Sequence, residues 1–283
     1  MEKFEFRNAI GGTVTFDYDG SFIIDSYDGL TSAEILPTTI QGYKQNGYKM
    51  TNISFGMRAI NLNFYVYGTS MADLYEKRRM LATVFNPLLG YGVLTYTNDY
   101  ISKSITCIPT ITPTPTEKMG NLQIFNLELT AHNPFWYDTD ETALKLEGFA
   151  GGMVFPLILA SPGITLAEKA SSVTIGITGD VPSPIRAEFK GVCVNPKLTL
   201  DTTGEYIKVA TTMVAGQTLR ITTDYGNKAV KLITGTTETN AFNLIDINTS
   251  FFSLPVGTNK ITFTGDSGTP EVFLYWRNWY VGV

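Results

Sequence analysis

The chain has 283 residues, which at roughly 100–200 residues per domain allows two ordinary domains or one large β structure. Hydrophobic residues make up 43 % and charged residues only 17 %, against roughly 25 % in an average globular protein, and this excludes a disordered chain. Lys and Arg number 21 and Asp and Glu 26, a net charge of −5 that argues against a general phosphate-backbone binder.

The first residues, MEKFEFRNAIGG, mix acidic and basic side chains and contain no apolar run, so no secretory signal is expected there and a cytoplasmic origin follows. Residues 13–18 (TVTFDY) alternate and end at Gly20, which predicts a strand. Residues 60–67 (INLNFYVY) place Ile60, Leu62, Phe64 and Val66 on one face. Residues 70–85 break the β pattern. Met71, Leu74, Tyr75, Leu81, Ala82 and Phe85 follow helical spacing, Ser70 with Asp73 resembles a capping box, and Asn86-Pro87 provides the stop. The charged residues Glu76, Lys77, Arg78 and Arg79 fall mainly on the other face, the solvated side of a helix packed on a sheet. Residues 109–115 (PTITPTP) read as a long proline-rich loop within the first half. In 122–130, Gln123, Phe125, Leu127 and Leu129 oppose Leu122, Ile124, Asn126 and Glu128, again the pattern of a half-buried strand.

The first half closes at HNPFWYDTDE. A charged stretch follows, and Gly151-Gly152 opens an apolar strand at 153–160, too short to cross a bilayer. The organisation read from this is a domain over 1–137, a linker over 138–149 and a second domain over 150–283. Residues 260–264 and 272–281 are further strands. In the latter, Trp276 and Tyr280 face the core, and Tyr275, Arg277 and Trp279 face outward.

Chemistry is scarce. Cys107 and Cys193 lie far apart with no metal-ligand spacing, and both read as reduced and structural. His132 is the single histidine, so any Ser-His-Asp or Cys-His arrangement depends on it, and no GxSxG, GxGxxG or GxxxxGK[ST] pattern accompanies it. Its place beside Asn133-Pro134 at a strand end fits capping or packing. No calcium-loop run appears. No catalytic, metal or cofactor residue is assigned, and the chain does not read as an enzyme.

Taken in order, the segments resemble the distal tail proteins of siphovirus-type bacteriophages, the siphovirus-type tail component family. In the first half the likeness rests on Gly29-Leu30, the strand ISFGMRAINLNFYVYG, the helix at 70–85, Gly92–Leu94 opening a strand, and Asn133, Pro134, Phe135 and Trp136 at its close. In the second half it rests on the apolar segment from Gly151 to Leu157, on Gly179, Asp180, Pro182, Pro184 and Ile185, and on Gly191, Asn195 and Pro196. Residues 203–207 (TGEYI), the run Phe251 to Pro255 with Gly257, Asn259 and Ile261, and the closing aromatic strand complete it. Where the family often has a different turn, this chain has Asn46-Gly47, a good tight-turn dipeptide. His132-Asn133-Pro134 is superficially similar to the sugar motif of galectins, but the spacing differs and the arginine is missing.

The resemblance implies a mainly β chain with an N-terminal β-sandwich or split-barrel-like domain carrying one helix and a galectin-like C-terminal β-sandwich. It implies a structural hub of a tail tip or baseplate: a hexameric ring that leaves a channel for DNA and needs no cofactor. Expected partners are further copies of itself, the major tail tube protein, the tape measure protein, a tail-associated lysin or tail fibre protein, and a receptor-binding protein. Neither a membrane nor sequence-specific nucleic-acid binding belongs to that picture. The location implied is the virion tail tip, after assembly in the host cytoplasm. The competing readings are a carbohydrate-binding adhesin using the aromatics of the C-terminal sandwich, and a tail-associated hydrolase.

Overall fold

The computed structural model describes residues 2–146 and 171–283. The apolar strand expected at 153–160, and with it the segment from Gly151 to Leu157, lies outside the described residues. The chain divides into two compact units, Met1–Thr139 together with Tyr280–Val283, and Asp140–Trp279. Both are built almost wholly of antiparallel strands.

In the first unit, seven strands follow one another across a sheet in the order Thr13–Phe16, Lys3–Arg7, Gly92–Thr97, Ser102–Met119, Leu122–Ala131, Arg58–Tyr67 and Phe22–Asp28. Alternation sets the register: Ile60, Leu62, Phe64 and Val66 meet Leu129, Leu127, Phe125 and Gln123 on the buried face, the faces read from the sequence. The two end strands then meet. Asp17, just past Phe16, donates its N–H to the Phe22 carbonyl at 3.1 Å and accepts from Ile24 N–H at 2.8 Å, so the sheet curls into a closed, barrel-like shell. The interior is aromatic, with Phe16 packed on Phe64 at 4.6 Å and Phe6 on Phe85 at 4.6 Å.

The helix spans Met71–Val84. Ser70 caps it by accepting from Asp73 N–H at 3.2 Å, and the Asp73 carboxylate reaches back to Thr69 N–H at 2.7 Å. Only Leu74, Leu81, Val84 and the capping Phe85 are buried; Met71, Tyr75 and Ala82, expected on the core face, are exposed. The covered stripe is narrower than the sequence pattern, because the helix lies on the curved shell along one line. Asn86 caps a short 3-10 turn, Pro87–Leu89, through Leu88 N–H at 3.0 Å.

The proline-rich run 109–115 is not a loop. It lies inside the strand Ser102–Met119, whose outer half pairs only with Leu122–Ala131, through register shifts at Pro109/Ile111, Ile111/Thr114 and Pro115/Lys118. An edge position tolerates proline because the missing N–H faces away from the ladder.

The second unit is a sandwich. A six-stranded sheet ordered Thr142–Leu146, Glu271–Trp276, Ile185–Lys190, Gln217–Thr222, Ala229–Thr234, Thr237–Asn240 shares one core with a four-stranded sheet ordered Ser171–Ile177, Gly257–Thr264, Lys197–Leu200, Glu205–Lys208. Within 138–149, expected as a linker, Thr142–Leu146 contributes an edge strand, because Leu144 and Leu146 find apolar cover against that core; residues 147–149 lie outside the described residues. Likewise the expected strand 272–281 is broken at Arg277-Asn278: Trp276 is buried in the second unit and Tyr280 packs on the core of the first.

Several quoted segments have clear steric reasons. A Cβ on Gly29 would lie 2.0 Å from the Ala59 carbonyl oxygen, and one on Gly179 would lie 2.3 Å from that of Trp279. Asn259, fully buried, donates to the carbonyls of Pro255 at 2.7 Å and Gly257 at 3.0 Å, which fixes the turn before its strand.

Candidate assembly surfaces

Four regions of the molecule bear on how it could meet partners. The first is a two-stranded ribbon, Ile35–Ile40 paired with Lys49–Phe55, in which every residue is exposed. Its cross-strand pairs Ile35 with Phe55, Pro37 with Ile53 and Thr39 with Met50 share one face; Leu36 with Ser54, Thr38 with Asn52 and Ile40 with Lys49 share the other. One face is thus apolar and the other mostly polar, the pattern of a sheet with a covered side, yet Ile35 and Ile53 are 58 % and 57 % exposed. An isolated two-stranded ribbon is marginal in water, which makes this exposed apolar face unusual. Asn46-Gly47, expected as a tight turn, instead lies within the longer connection between Ile40 and Lys49, where Gly47 has φ +79° and Lys44 φ +58°.

The second region is the outward face of the barrel-like sheet. Asp25, Ser26 and Asp28, then Asn61, Asn63 and Tyr65, then Asn126, Glu128 and Thr130, then Thr106 and Thr110, then Thr95 and Thr97 point outward on successive strands. They bond sideways to one another: Tyr65 Oη to Asp25 at 3.0 Å, Asn63 Nδ2 to Ser26 at 3.0 Å, Asn126 Nδ2 to Asn63 at 2.8 Å and Thr110 Oγ1 to Glu128 at 2.9 Å. No Lys or Arg points outward from the strands Phe22–Asp28, Arg58–Tyr67, Gly92–Thr97 and Leu122–Ala131. Lys3 and Arg7 do point outward from the neighbouring strand Lys3–Arg7, so the part of this face without outward cations is the side built by Phe22–Asp28, Arg58–Tyr67 and Leu122–Ala131.

The third is a knot around Arg58, 1 % exposed. Its guanidinium donates to the carbonyls of Pro134 at 2.7 Å, Gly29 at 2.8 Å, Ser32 at 2.9 Å and Leu30 at 3.0 Å, and also to that of Val281. Burial pulls its pKa down, and carbonyl dipoles carry the charge. The Leu30 carbonyl also accepts from Trp136 Nε1 at 3.1 Å, so the conspicuous Gly29-Leu30 and Pro134 to Trp136 segments meet at one cation.

The fourth is the outward face of the six-stranded sheet in the second unit, where the expected aromatics lie. Arg186 covers the Tyr275 ring at 3.9 Å and Lys190 covers Phe273 at 4.6 Å. Between them, Glu188 accepts from Arg186 at 2.6 Å and Arg220 at 3.0 Å. Burial pushes the Glu188 carboxyl up, but Arg220, Arg186 and Lys190 outweigh it and hold the group below its usual range. Rings capped by fixed cations are poor platforms for a sugar, which stacks on a bare face.

His132 is exposed, and its ring meets only Tyr91, edge to face at 5.6 Å with Nδ1 3.2 Å from the tyrosine hydroxyl. No nucleophile or carboxylate contacts it among the described residues. Cys107 and Cys193 are free thiols, both buried. Among the described residues there is no cluster of His, Cys, Asp and Glu that could hold a metal, and no helix long and apolar enough to cross a membrane. The ribbon and the Arg58 knot were not anticipated as sites; in the sequence, only the alternation of residues 35–55 and an arginine heading an apolar strand could have flagged them.

Comparison with known proteins agrees with this picture. The phage tail protein RIFT-related domain matches residues 11–131, and the siphovirus-type tail component, C-terminal domain, matches residues 178–280. No curated protein sequence matches the chain. The fold is similar to that of the Dit protein (gp 19.1) of phage SPP1, described as a paradigm of the hub adsorption apparatus of phages infecting Gram-positive bacteria: 12 % identity, 98 % of each chain covered and a TM-score of 0.66. It is also similar to a chain of the phage P2 baseplate in its activated conformation with calcium, at 14 % identity, with 100 % of each chain covered and a TM-score of 0.60. Two domain models in sequence order, joined by a fold match over nearly the whole length, place the chain in the siphovirus-type tail component family, as a structural protein of the phage tail.

Proposed function

We propose that the first unit closes into a ring of six copies at the tip of the tail, each ribbon laying its apolar face on the neighbouring copy. A contact that is head to tail and identical between all neighbours closes when its rotation divides the circle, and the ribbon supplies one half of such a contact. The exposed apolar side of Ile35–Ile40 and Lys49–Phe55 is the observation that carries this reading. With the side of the barrel built by Phe22–Asp28, Arg58–Tyr67 and Leu122–Ala131, from which no cation points outward, turned to the central channel, DNA passes without being held. The second unit, a galectin-like sandwich in this reading, faces the remaining tail components: the tail tube and tape measure proteins, a tail-associated lysin or fibre, and a receptor-binding protein. The role is structural, not enzymatic, and the assembly forms in the host cytoplasm before residing at the virion tail tip.

The test is the mass of the full chain by light scattering across concentration, alone and with tail-tube protein, compared with Ile53→Lys. Ile53 touches solvent already, so the variant keeps its fold by circular dichroism and melting. The expected result is a six-copy ring for the parent and a single copy for the variant. A ring that survives Ile53→Lys unchanged removes the mechanism.

A further inference from the structure

The first unit is discontinuous in the chain: residues up to Thr139 form it together with Tyr280–Val283, and everything between belongs to the second unit. The four late residues are not a loose extension. Arg58 donates to the Val281 carbonyl, and Val283 N–H reaches the Leu30 carbonyl at 3.4 Å. Tyr280 receives the Lys103 ammonium over its ring at 3.7 Å, and Lys103 is itself held by Asp138 at 2.6 Å. Tyr280 and Val283 pack on the apolar core of the first unit. At Gly282 the backbones run so close that a Cβ would lie 3.0 Å from Thr31 Cα and 3.0 Å from Thr31 O. Without these residues the guanidinium has a partly buried, charged N–H left without its carbonyl, and the Gly29–Leu30 turn loses a donor.

We propose that Tyr280–Val283 is a strap that closes the first unit, so that this unit reaches its finished form only after residues 140–279 have been synthesised. The order of folding is then fixed by the order of the chain. The second unit, whose residues are contiguous, folds first, and the first unit waits for the strap. Chains that stop inside or just after the second unit carry an unfinished first unit, with its Gly29-Leu30 turn and the segment around Pro134 open, and so cannot take a place in an assembly. This holds whatever the first unit assembles with.

The test is cell-free translation of chains ending at residue 279 and at residue 283, each released and given a brief protease pulse, with fragments identified by mass. The expected result is that the second-unit fragment survives in both, while the first-unit fragment survives only when residues 280–283 are present. Full-length Gly282→Val is the second variant, read by hydrogen exchange. Its faster exchange at residues 29–32 and 134–138, with residues 185–190 and 218–222 unchanged, supports the strap. A first-unit fragment equally resistant in both chains overturns the proposal, as does Gly282→Val with parental exchange at 29–32.

Discussion

Replacing Arg58 by Met keeps the length of the stem and removes every donor at the knot. Five carbonyls lose a partner, but that of Leu30 retains Trp136 Nε1 at 3.1 Å, so four are left short: those of Gly29, Ser32, Pro134 and Val281. A buried polar group left unpaired costs about 1–3 kcal/mol. The bonds to Ser32 and Val281 are only partly buried, so water repairs part of that loss, whereas those to Gly29 and Pro134 are buried. The sum is about 4 kcal/mol. Losing the cation also removes the cost of burying its charge, and the estimate stays inside the range for breaking a buried ion pair, about 3–5 kcal/mol. At roughly 3 °C per kcal/mol for a unit of this size, the melting of the first unit falls by about 12 °C. Differential scanning calorimetry with hydrogen exchange on each unit makes the measurement. A fall of under about 3 °C, or a fall shared equally by the second unit, refutes the idea that this cation holds the three segments together.

Acid sensitivity should trace in part to Glu2, whose carboxylate accepts from Tyr96 at 2.8 Å, Tyr27 at 3.0 Å and Tyr18 at 3.3 Å. These hydroxyls, that of Tyr96 first, hold its pKa below the ordinary 4.5, so the stability it gives is present above about pH 4.5 and is lost as pH falls through the lowered value. Melting curves from pH 7 to pH 3 should show a shallower acid decline in Glu2→Gln than in the parent; equal declines reject the role. Burial pushes the thiols of Cys107 and Cys193 up to about 12 and about 11, so neither should react with iodoacetamide at pH 8 until the chain is unfolded, and fast labelling of the native protein would contradict their burial.

How much of this was legible beforehand depends on the range of the interactions involved. The strands at Arg58–Tyr67 and Leu122–Ala131 were readable because period-2 alternation is local and one face of each is buried. The helix start was readable from Ser70 and Asp73, but its covered stripe was not, since the curvature of the shell beneath it decides which residues are covered. Residues 109–115 misled because proline reads as a loop wherever the edge status of a strand is unknown. Likewise 138–149 read as a linker because its cover, Glu271–Trp276, lies far along the chain. Arg58 gave no signal of its role, because its partners come from three distant segments and all are backbone carbonyls, which carry no side-chain signature.

The joint at Asp17 has a consequence for solubility. By fastening the two end strands of the sheet to each other at one point, it closes part of the two open edges that a curled sheet would otherwise offer to passing chains. Open backbone also remains on the ribbon and on the outer half of Ser102–Met119. Both are interrupted by proline: Pro37 in the one, Pro113 and Pro115 in the other. A stray strand that tried to extend either edge would find gaps in its ladder of donors. At these two proline-bearing edges indiscriminate strand pairing is therefore disfavoured, and association is left to side-chain contacts.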